Sequence, residues 1–277
     1  MVINYVLIYN ALMSKPIDVW VEEVPVRFGS VDRSDRMTLW SIFDFFQEAA
    51  ISHAANLGVG REDLARSKQA WILSRISIFA ERRPAYLESL KVSTWPRYCD
   101  KLLVMRDYSL SDAGGNVIVR GRGGWIVLDV EKRRPLRPEP VVEHMPLNDG
   151  INAFSASPAG LSPREGLVKA AERRAAYSDI DYYGHVNNAR YIQWIQDATD
   201  IDILSGAEQL RLDVNYLSEV LPGDIVELWS APFENAEQGG SDYPSGPGTC
   251  IAYEGRRNGT AVFRAELRTF TLNTSPA

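Results

Sequence analysis

The sequence predicts an α+β protein in which one structural unit occurs twice in tandem, each copy being a long helix followed by an antiparallel sheet. Two observations predict this class. A helical segment followed by four strand-like segments occurs twice, in the same order, along the 277 residues. In addition, Asp32 precedes Asp181 by 149 positions, and Gln47-Glu48-Ala49 precedes Gln196-Asp197-Ala198 by the same 149 positions. A constant offset between matching residues indicates a duplicated unit.

The first copy begins with a helix that is predicted from Thr38 to about Leu57. Apolar side chains recur there at helical spacing, at Leu39, Ile42, Phe43, Phe46 and Ala50. Gly58 and Gly60 end the helix. Strands are predicted at 70–80, 88–95, 102–110 and 116–129, with an Asp112-Ala-Gly-Gly turn between the last two.

The second copy repeats this order. A helix is predicted from Asn188 to about Leu204, with apolar residues on one face at Tyr191, Trp194, Ile195 and Ala198. Strands are predicted at 209–217, 224–231, 249–256 and 260–272, and Arg256-Arg-Asn-Gly is the turn between the last two. Glu88 precedes Asp224 by 136 positions, so the connection between helix and sheet is 13 residues shorter in the second copy.

These repeats divide the chain into an N-terminal extension (1–17), a first unit (18–134, unit 1), a linker rich in proline (135–168) and a second unit (169–277, unit 2). The apolar stretch MVINYVLIYNAL at residues 1–12 is too short to span a membrane and lacks the basic start of a signal peptide. Met13 precedes a more ordinary polar opening. We therefore expect either that Met13 is the true start or that residues 1–12 are an accessory segment.

Composition excludes several classes of function. The net charge of −6 argues against general nucleic-acid binding. The two cysteines, Cys99 and Cys250, have neither the spacing of a metal site nor the number needed for a disulfide framework. We therefore expect a cytosolic protein without a membrane span or a metal.

The segment 178–191, SDIDYYGHVNNARY, carries the strongest signal for chemistry. It places acidic residues, a histidine and two asparagines at the predicted start of a helix, where unpaired N–H groups and the positive end of the helix dipole favour a developing oxyanion. Asp181 and His185 are suited to act on a water molecule there, and Glu219 supplies a second carboxylate from the following strand region. The alternative is structural: Asp179 or Asp181 caps a turn, and Asn187 or Asn188 caps the helix.

A comparison of the two copies favours the functional interpretation. The first copy has different residue types at the equivalent positions. Arg36 stands in place of His185, Thr38 in place of Asn187, Leu39 in place of Asn188 and Arg83 in place of Glu219. Residues that only served the fold would keep similar types in both copies. We therefore expect one catalytic unit, unit 2, and one unit that shapes the substrate cavity.

The segment Asp181-Tyr-Tyr-Gly-His185-Val-Asn-Asn188, followed by Tyr191 and Trp194, resembles the active-site stretch of acyl-acyl-carrier-protein (acyl-ACP) thioesterases of plant plastids and bacteria. Unit 1 resembles them in Gln47-Glu48-Ala49, Trp71-Ile-Leu-Ser-Arg75, Pro84, Val92-Ser-Thr-Trp95 and Trp125 through Arg134. The resemblance covers about residues 20–272. It implies a double hot-dog fold, in which each of two long helices is wrapped by an antiparallel sheet. It also implies hydrolysis of a fatty acyl thioester on acyl carrier protein, without a metal or an organic cofactor.

The resemblance also assigns residues. The family's catalytic Asp, His and Glu fall on Asp181, His185 and Glu219. Two positions depart from the family pattern, because Tyr183 replaces the usual Asn and Val220 replaces a Cys found in many members. We expect backbone N–H groups, of His185 or Val186, to stabilise the oxyanion. Other expected substrate contacts are Tyr183, Gly184, Asn187 and Asn188 around the thioester, with Trp40, Phe43 and Phe46 setting the depth of the acyl cavity.

Acyl carrier protein is acidic, so docking to this acidic chain requires a local basic patch. The candidates are Arg133, Arg134, Arg137, Lys169, Arg173 and Arg174. Two other functions remain open at this point: an acyl-CoA or aryl-CoA thioesterase, and an acyl-binding protein of a biosynthetic pathway that does not hydrolyse its ligand. The fused copies already supply one pair of units, so both a monomer and a homodimer of the chain are compatible with the sequence.

Overall fold

The computed structural model describes residues 16–155, 157–234 and 248–270, and it shows the predicted α+β hot-dog architecture. Unit 1 comprises β1 (Trp20–Pro25), α1 (Leu39–Asn56), α2 (Arg61–Arg66), β2 (Gln69–Ala80), β3 (Ser89–Asp100), β4 (Leu103–Ser111), β5 (Val117–Asp129) and β6 (Arg134–Leu136). A short helix, α3 (Glu139–Val142), follows. Unit 2 comprises β7 (Val168–Arg174), α4 (Asn188–Asp197), α5 (Ile201–Gly206), β8 (Gln209–Tyr216), β9 (Ile225–Pro232), β10 (Cys250–Arg257) and β11 (Thr260–Phe270).

The described strands form one antiparallel sheet in the order β1-β3-β4-β5-β2-β8-β11-β10-β9-β7, with β6 beside the end of β5. Read outward from the β2–β8 junction, the strands of the two units follow the same order. At the junction Ser77 lies opposite Asp213, and Ser77 Oγ donates to Asp213 Oδ1 at 2.5 Å. Ser77 and Asp213 also occupy equivalent positions in their units, 136 apart. An approximate twofold axis therefore passes between them.

Helices α1 and α4 cover the same face of this sheet and pack against each other. The N–H of Trp40, near the start of α1, donates to Gln196 Oε1, near the end of α4, at 3.0 Å. The two helices therefore run in opposite directions, as the twofold axis requires. Thr38 caps α1 through its hydroxyl, which accepts the N–H of Ser41 at 3.3 Å. The predicted start of this helix is confirmed.

The second predicted helix is wrong as one continuous helix, because it is divided into α4 and α5. Thr199 Oγ1 donates to the carbonyl of Ile195 at 2.7 Å and so satisfies the end of α4. Asp200 then caps α5 by accepting the N–H of Asp202 at 2.8 Å. The apolar spacing continues across the break, whereas side-chain hydrogen bonds to the backbone end the first helix.

Strands β1 and β7 are absent from the sequence prediction. They are the two outer edges of the sheet, and their sequences, WVEEVP and VKAAERR, carry charged residues. Edge strands pair on one side only and commonly carry charges that discourage association. For that reason they lack the continuous apolar pattern by which the inner strands were predicted.

The middle of the segment 135–168, which was predicted as a linker, lies on the face of the sheet opposite the helices, whereas its ends belong to β6 and β7. The ring N–H of Trp95 donates to the carbonyl of Ile151 at 2.9 Å. Phe154 is buried against Phe79 of β2 and Phe270 of β11. The connection between the units is therefore packed against strands of both of them.

None of the helices in the described residues is long and apolar enough to cross a membrane. The two expectations for the N-terminus, a start at Met13 or an accessory segment, concern residues 1–15 and lie outside the described part of the chain.

Candidate active site at the start of helix α4

The loop that precedes α4 is a tight turn organised by Asp181. The N–H of Asp181 donates to the carbonyl of His185 at 2.9 Å, and Asp181 Oδ1 accepts the N–H of Tyr183 at 2.8 Å. Gly184 has a φ of +82°, a left-handed conformation in which glycine carries no Cβ penalty. The turn thereby places the imidazole of His185 directly before the helix.

The start of α4 supports only part of the expected oxyanion site. Asn187 Oδ1 accepts the N–H of Ala189 at 2.8 Å, so Asn187 caps the helix, as the structural alternative held. The N–H of Val186 donates to the carbonyl of Val220 at 2.9 Å and is therefore not available to an oxyanion. This corrects the expectation for Val186. Asn188 is the first residue of α4, where backbone N–H groups have no partner within the helix.

Glu219 comes from the connection between β8 and β9 and contacts His185 at the surface of unit 2. Glu219 Oε2 lies 3.1 Å from His185 Nε2, and the two side chains are 33% and 38% exposed, respectively. Arg257 Nη1 donates to the carbonyl of Glu219 at 3.1 Å and to Asp224 Oδ2 at 2.5 Å, which holds the connection in place. His185 and Glu219, two of the three predicted catalytic residues, are thus in contact, and Asp181 stabilises the turn that carries His185.

A side chain of unit 1 also reaches this site. Arg133, in the turn between β5 and β6, donates from Nη2 to Glu219 Oε1. Glu219 therefore has a cation on one carboxylate oxygen and an imidazole on the other.

In unit 1, the position equivalent to the candidate site is occupied by arginine side chains that bind the end of α5. The N–H of Asp32 donates to the carbonyl of Arg36 at 2.9 Å, in the same turn as that of Asp181. Arg83, which stands where unit 2 has Glu219, is only 1% exposed; it donates to Asp32 Oδ2 at 2.6 Å and to the carbonyl of Leu204 at 2.9 Å. Arg36, at the position of His185, donates to the carbonyl of Ala207 at 2.7 Å. The end of α5 thus covers in unit 1 the position that is exposed in unit 2.

Tyr183 stands where the resemblance leads us to expect Asn. Its side chain is half-buried, and its ring packs edge-to-face on that of Tyr182, with the ring centroids 6.1 Å apart. Arg61, the first residue of α2 in unit 1, stacks on the Tyr182 ring at 3.5 Å. Burial raises the pKa of the Tyr183 hydroxyl, so this group is neutral at physiological pH.

The aromatic residues predicted to set the depth of the acyl cavity lie on α1. Phe43 and Phe46 are fully buried in the core, and Phe46 stacks on Tyr108 with ring centroids 4.9 Å apart. Trp40 is partly buried where α1 meets α4, and the Arg190 guanidinium lies 5.3 Å from its ring centroid. Phe43 and Phe46 lie in the core and Trp40 packs against it, and the contact of all three with an acyl chain stays a prediction.

The basic residues predicted for docking differ in their surroundings. Two of them lie on β7 and are ion-paired: Lys169 with Glu227 at 2.7 Å, and Arg173 with Asp197 at 3.3 Å. Arg174, at the end of the same strand, extends toward the connection that carries Glu219. Its Nη2 lies 3.9 Å from the position that a Cβ on Gly223 would occupy. Arg133 therefore contacts the candidate site, and Arg174 lies beside the connection that carries Glu219.

Sequence reasoning missed Arg61 and Arg257, and it assigned Arg133 to docking rather than to the site. Each of these side chains comes from a part of the chain far from segment 178–191, so no local pattern identifies it. The only available signal was that Arg133 lies at the end of the Trp125–Arg134 stretch of the family resemblance.

Within the described residues, no group of three or more His, Cys, Asp or Glu side chains is arranged to hold a metal ion.

Comparison with protein families identifies two adjacent matches. Residues 18–144 match the family model described as the acyl-ACP thioesterase N-terminal domain, and residues 166–245 match the acyl-ACP thioesterase C-terminal domain. The chain is 24% identical over 251 residues to the chloroplastic acyl-[acyl-carrier-protein] hydrolase FATB2 of Cuphea viscosissima, with 81% of this chain and 58% of that protein aligned. It is 25% identical over 227 residues to the chloroplastic oleoyl-acyl carrier protein thioesterase 2 of Arabidopsis thaliana, with 74% of this chain and 61% of that protein aligned. The chain thus spans little more than half the length of these relatives.

Two solved structures share the fold along nearly the whole chain. An acyl-ACP thioesterase from Bacteroides thetaiotaomicron superposes with a TM-score of 0.73 at 23% identity, covering 91% of this chain and 97% of that one. The 12:0-ACP thioesterase from Umbellularia californica superposes with a TM-score of 0.75 at 17% identity, covering 90% and 96% of the two chains. Both similarities confirm the predicted double hot-dog fold.

Proposed function

The chain belongs to the acyl-ACP thioesterase family, and we propose that it hydrolyses fatty acyl-ACP thioesters to a free fatty acid and holo-ACP. The observation that carries the proposal is the 3.1 Å contact between His185, on the turn of Asp181, and Glu219, on the connection between β8 and β9. The family's catalytic residues fall on these three positions. In unit 1 the equivalent position is covered, which supports a single site for each chain.

In the proposed reaction, His185 Nε2–H donates to Glu219 Oε2, which leaves Nδ1 to accept a proton. His185 takes that proton from a water molecule whose oxygen attacks the thioester carbonyl carbon. The resulting tetrahedral oxyanion collapses, the carbon–sulfur bond breaks, and His185 returns the proton to the leaving thiolate. The products are a carboxylic acid and a free thiol, and these reaction steps balance without a metal or an organic cofactor.

The oxyanion of this intermediate is assigned to backbone N–H groups at the start of α4. The N–H of Asn188 lies at the positive end of the helix dipole. The N–H of His185 makes only a long contact of 3.5 Å with Asp181 Oδ1, so it is free to turn to a stronger acceptor. In this mechanism Asp181 maintains the turn that aims both the imidazole and this N–H.

We further propose that acyl carrier protein docks beside the connection that carries Glu219. Arg133 and Arg174 border that connection, and both are cations suited to the acidic surface of the carrier. The acyl chain would then pass toward α1, where Trp40, Phe43 and Phe46 limit its depth. Because Phe43 and Phe46 are tightly packed, a long chain would have to displace them.

The test is free-thiol release from a panel of acyl-ACP and acyl-CoA thioesters by wild type, Asp181→Asn, His185→Ala and Glu219→Gln. Glu23→Gln is the matched control, because Glu23 is an exposed glutamate on the far edge strand β1. We expect wild type and the control to prefer acyl-ACP, and loss of His185 or Glu219 to lower turnover by about 10²–10⁴-fold.

The other outcomes contradict defined parts of the proposal. Equal turnover of acyl-CoA and acyl-ACP would show that the enzyme recognises the acyl-pantetheine group that both substrates share, and not the carrier protein. Tight acyl binding without thiol release would overturn hydrolysis altogether. Full activity of both His185→Ala and Glu219→Gln would overturn the assigned site.

A further inference from the structure

The turn between β5 and β6 of unit 1 is held by its own hydrogen bonds. Asp129 Oδ1 accepts the N–H groups of Glu131 at 3.1 Å and of Lys132 at 2.9 Å. Arg133 follows with a φ of +50°, in the left-handed region that non-glycine residues rarely adopt, and Arg134 pairs with Asp129 across the turn. The turn thus has a defined shape that directs the Arg133 side chain out of unit 1.

Arg133 is directed at the carboxylate of Glu219 in unit 2. Its Nη2 donates to Glu219 Oε1, while Glu219 Oε2 faces His185 Nε2 at 3.1 Å. Rotation about the last torsion of a glutamate side chain is weakly restricted, so a carboxylate with one partner turns readily. With a partner on each oxygen, the Glu219 carboxylate keeps one oxygen on the imidazole.

We propose that Arg133 is a positioning residue for the reaction, supplied by unit 1 to the active site of unit 2, and that it acts by orienting Glu219 on His185. This inference rests on the proposed function, which assigns the chemistry to these two residues. It gives unit 1 a part in the reaction beyond shaping a cavity, because the site is incomplete without the β5–β6 turn.

The exposure of the pair separates this role from a structural one. The side chain of Arg133 is 71% exposed and that of Glu219 33% exposed, and ion pairs this accessible contribute little to folding stability. Removing Arg133 should therefore leave the melting temperature nearly unchanged while turnover falls. A role in docking the carrier protein alone would instead raise KM and leave kcat unchanged.

The experiment measures kcat, KM and melting temperature for the full chain with acyl-ACP, for wild type, Arg133→Ala and Arg133→Lys, each with and without Glu219→Gln. Lys132→Ala is the matched control, because Lys132 is an exposed cation of the same turn. We expect Arg133→Ala to lower kcat about tenfold or more through misorientation. Arg133→Lys should retain part of the rate, because it keeps the charge but not the planar donor geometry. In the Glu219→Gln background, loss of Arg133 should change kcat by less than about twofold, since both variants remove the same interaction.

A second measurement does not depend on turnover. The chain has only three histidines, so the ring C–H signals of His185 can be assigned by NMR from their loss in His185→Gln. At fixed pH, Arg133→Ala should move these signals toward their positions in Glu219→Gln, and Lys132→Ala should not move them. Unmoved signals, an unchanged kcat, or an equal loss of kcat in the Glu219→Gln background would each overturn the inference. Absence of thiol release by wild type would instead overturn the proposed function, and the NMR comparison would still test whether Arg133 orients Glu219.

Discussion

At the scale of single residues, Asp32 and Asp181 accept main-chain hydrogen bonds in the same way. Asp32 Oδ1 accepts the N–H of Ser34 at 2.8 Å, and Asp181 Oδ1 accepts that of Tyr183 at 2.8 Å. In unit 1, the second oxygen of Asp32 binds Arg83, whose buried charge requires a partner. In unit 2, the residue equivalent to Arg83 is Glu219, which contacts His185 instead. The exchange of Arg83 for Glu219, together with that of Arg36 for His185, therefore separates a structural position from one suited to chemistry.

Tyr183 is the departure from the family pattern with the clearest functional consequence. Because the turn is held through the backbone N–H of Tyr183, Tyr183→Asn should fold normally and place the family's amide two residues before His185. The smaller amide can hold the attacking water, so we expect kcat to rise by about fivefold in the thiol-release assay.

Tyr183→Phe is the control for that change, since it removes only the hydroxyl and should leave kcat near the wild-type value. A lower kcat for Tyr183→Asn would show instead that the aromatic ring itself takes part in binding.

His53 predicts how stability depends on pH. It lies buried on α1 with Nε2 2.7 Å from the carbonyl of Ile17, and burial together with the Arg106 guanidinium lowers its pKa to about 4. Its pKa is lower in the folded than in the unfolded state, so the unfolded state binds the proton first as the pH falls. The stability due to His53 is complete above about pH 6.5 and is lost toward pH 4.

Urea denaturation should therefore show a free energy of unfolding that is about 2 kcal/mol smaller at pH 5 than at pH 7. In His53→Gln this part of the pH dependence should disappear. An unchanged difference between the two pH values in the variant would assign the effect to other groups.

At the scale of elements, glycines let the helix approach the sheet closely. Gly121 of β5 lies under the ring of Phe46 from α1, and a Cβ on Gly121 would stand 2.7 Å from Phe46 Cε2. Phe46 is fully buried and stacked on Tyr108, so it has no space into which to move. The position of α1 over the sheet therefore depends on the absence of a side chain at one strand position.

Gly121→Ala should consequently lower the free energy of unfolding by about 1–3 kcal/mol, as measured by chemical denaturation. Gly124→Ala on the same strand is the control, because its Cβ would meet Leu103 Cδ2 at an ordinary 3.4 Å. Equal losses in the two variants would show that the cost arises from the strand itself and not from contact with the helix.

At the scale of the whole molecule, the two units share one sheet and one connecting segment. The sheet is continuous through β2 and β8, and segment 135–168 packs on strands of both units. Phe154 of that segment is buried between Phe79 and Phe270. The connection therefore contributes to the stability of the fused pair, in addition to joining the units.

Phe154→Ala should lower the free energy of unfolding by about 3 kcal/mol, because it leaves a cavity between strands of the two units. Ile151→Ala is the control, since the Ile151 side chain is about half exposed and only its carbonyl is used. A negligible loss in Phe154→Ala would show that the segment behaves as a simple tether.

Much of this fold could be predicted because its signals are local. The helix at 39–56, the four inner strands of each unit and the turns at Asp112 and Asn258 follow from spacing and turn residues within short windows. The 149-residue offset recurs in the structure, where the bridge between Val31 and Met37 matches the one between Ile180 and Val186. Hydrophobic spacing and capping depend on neighbours in sequence, and for that reason they can be read without the fold.

The sequence by itself thus determined the duplicated architecture, the family resemblance and the candidates Asp181, His185 and Glu219. Only the tertiary structure decided that His185 meets Glu219, that Arg133 of unit 1 contacts the same carboxylate, and that α5 covers the equivalent position in unit 1. The physical reason is distance along the chain. Arg133 and Glu219 are 86 positions apart, and Arg83 and Leu204 are 121 apart, so folding alone brings these partners within hydrogen-bonding range.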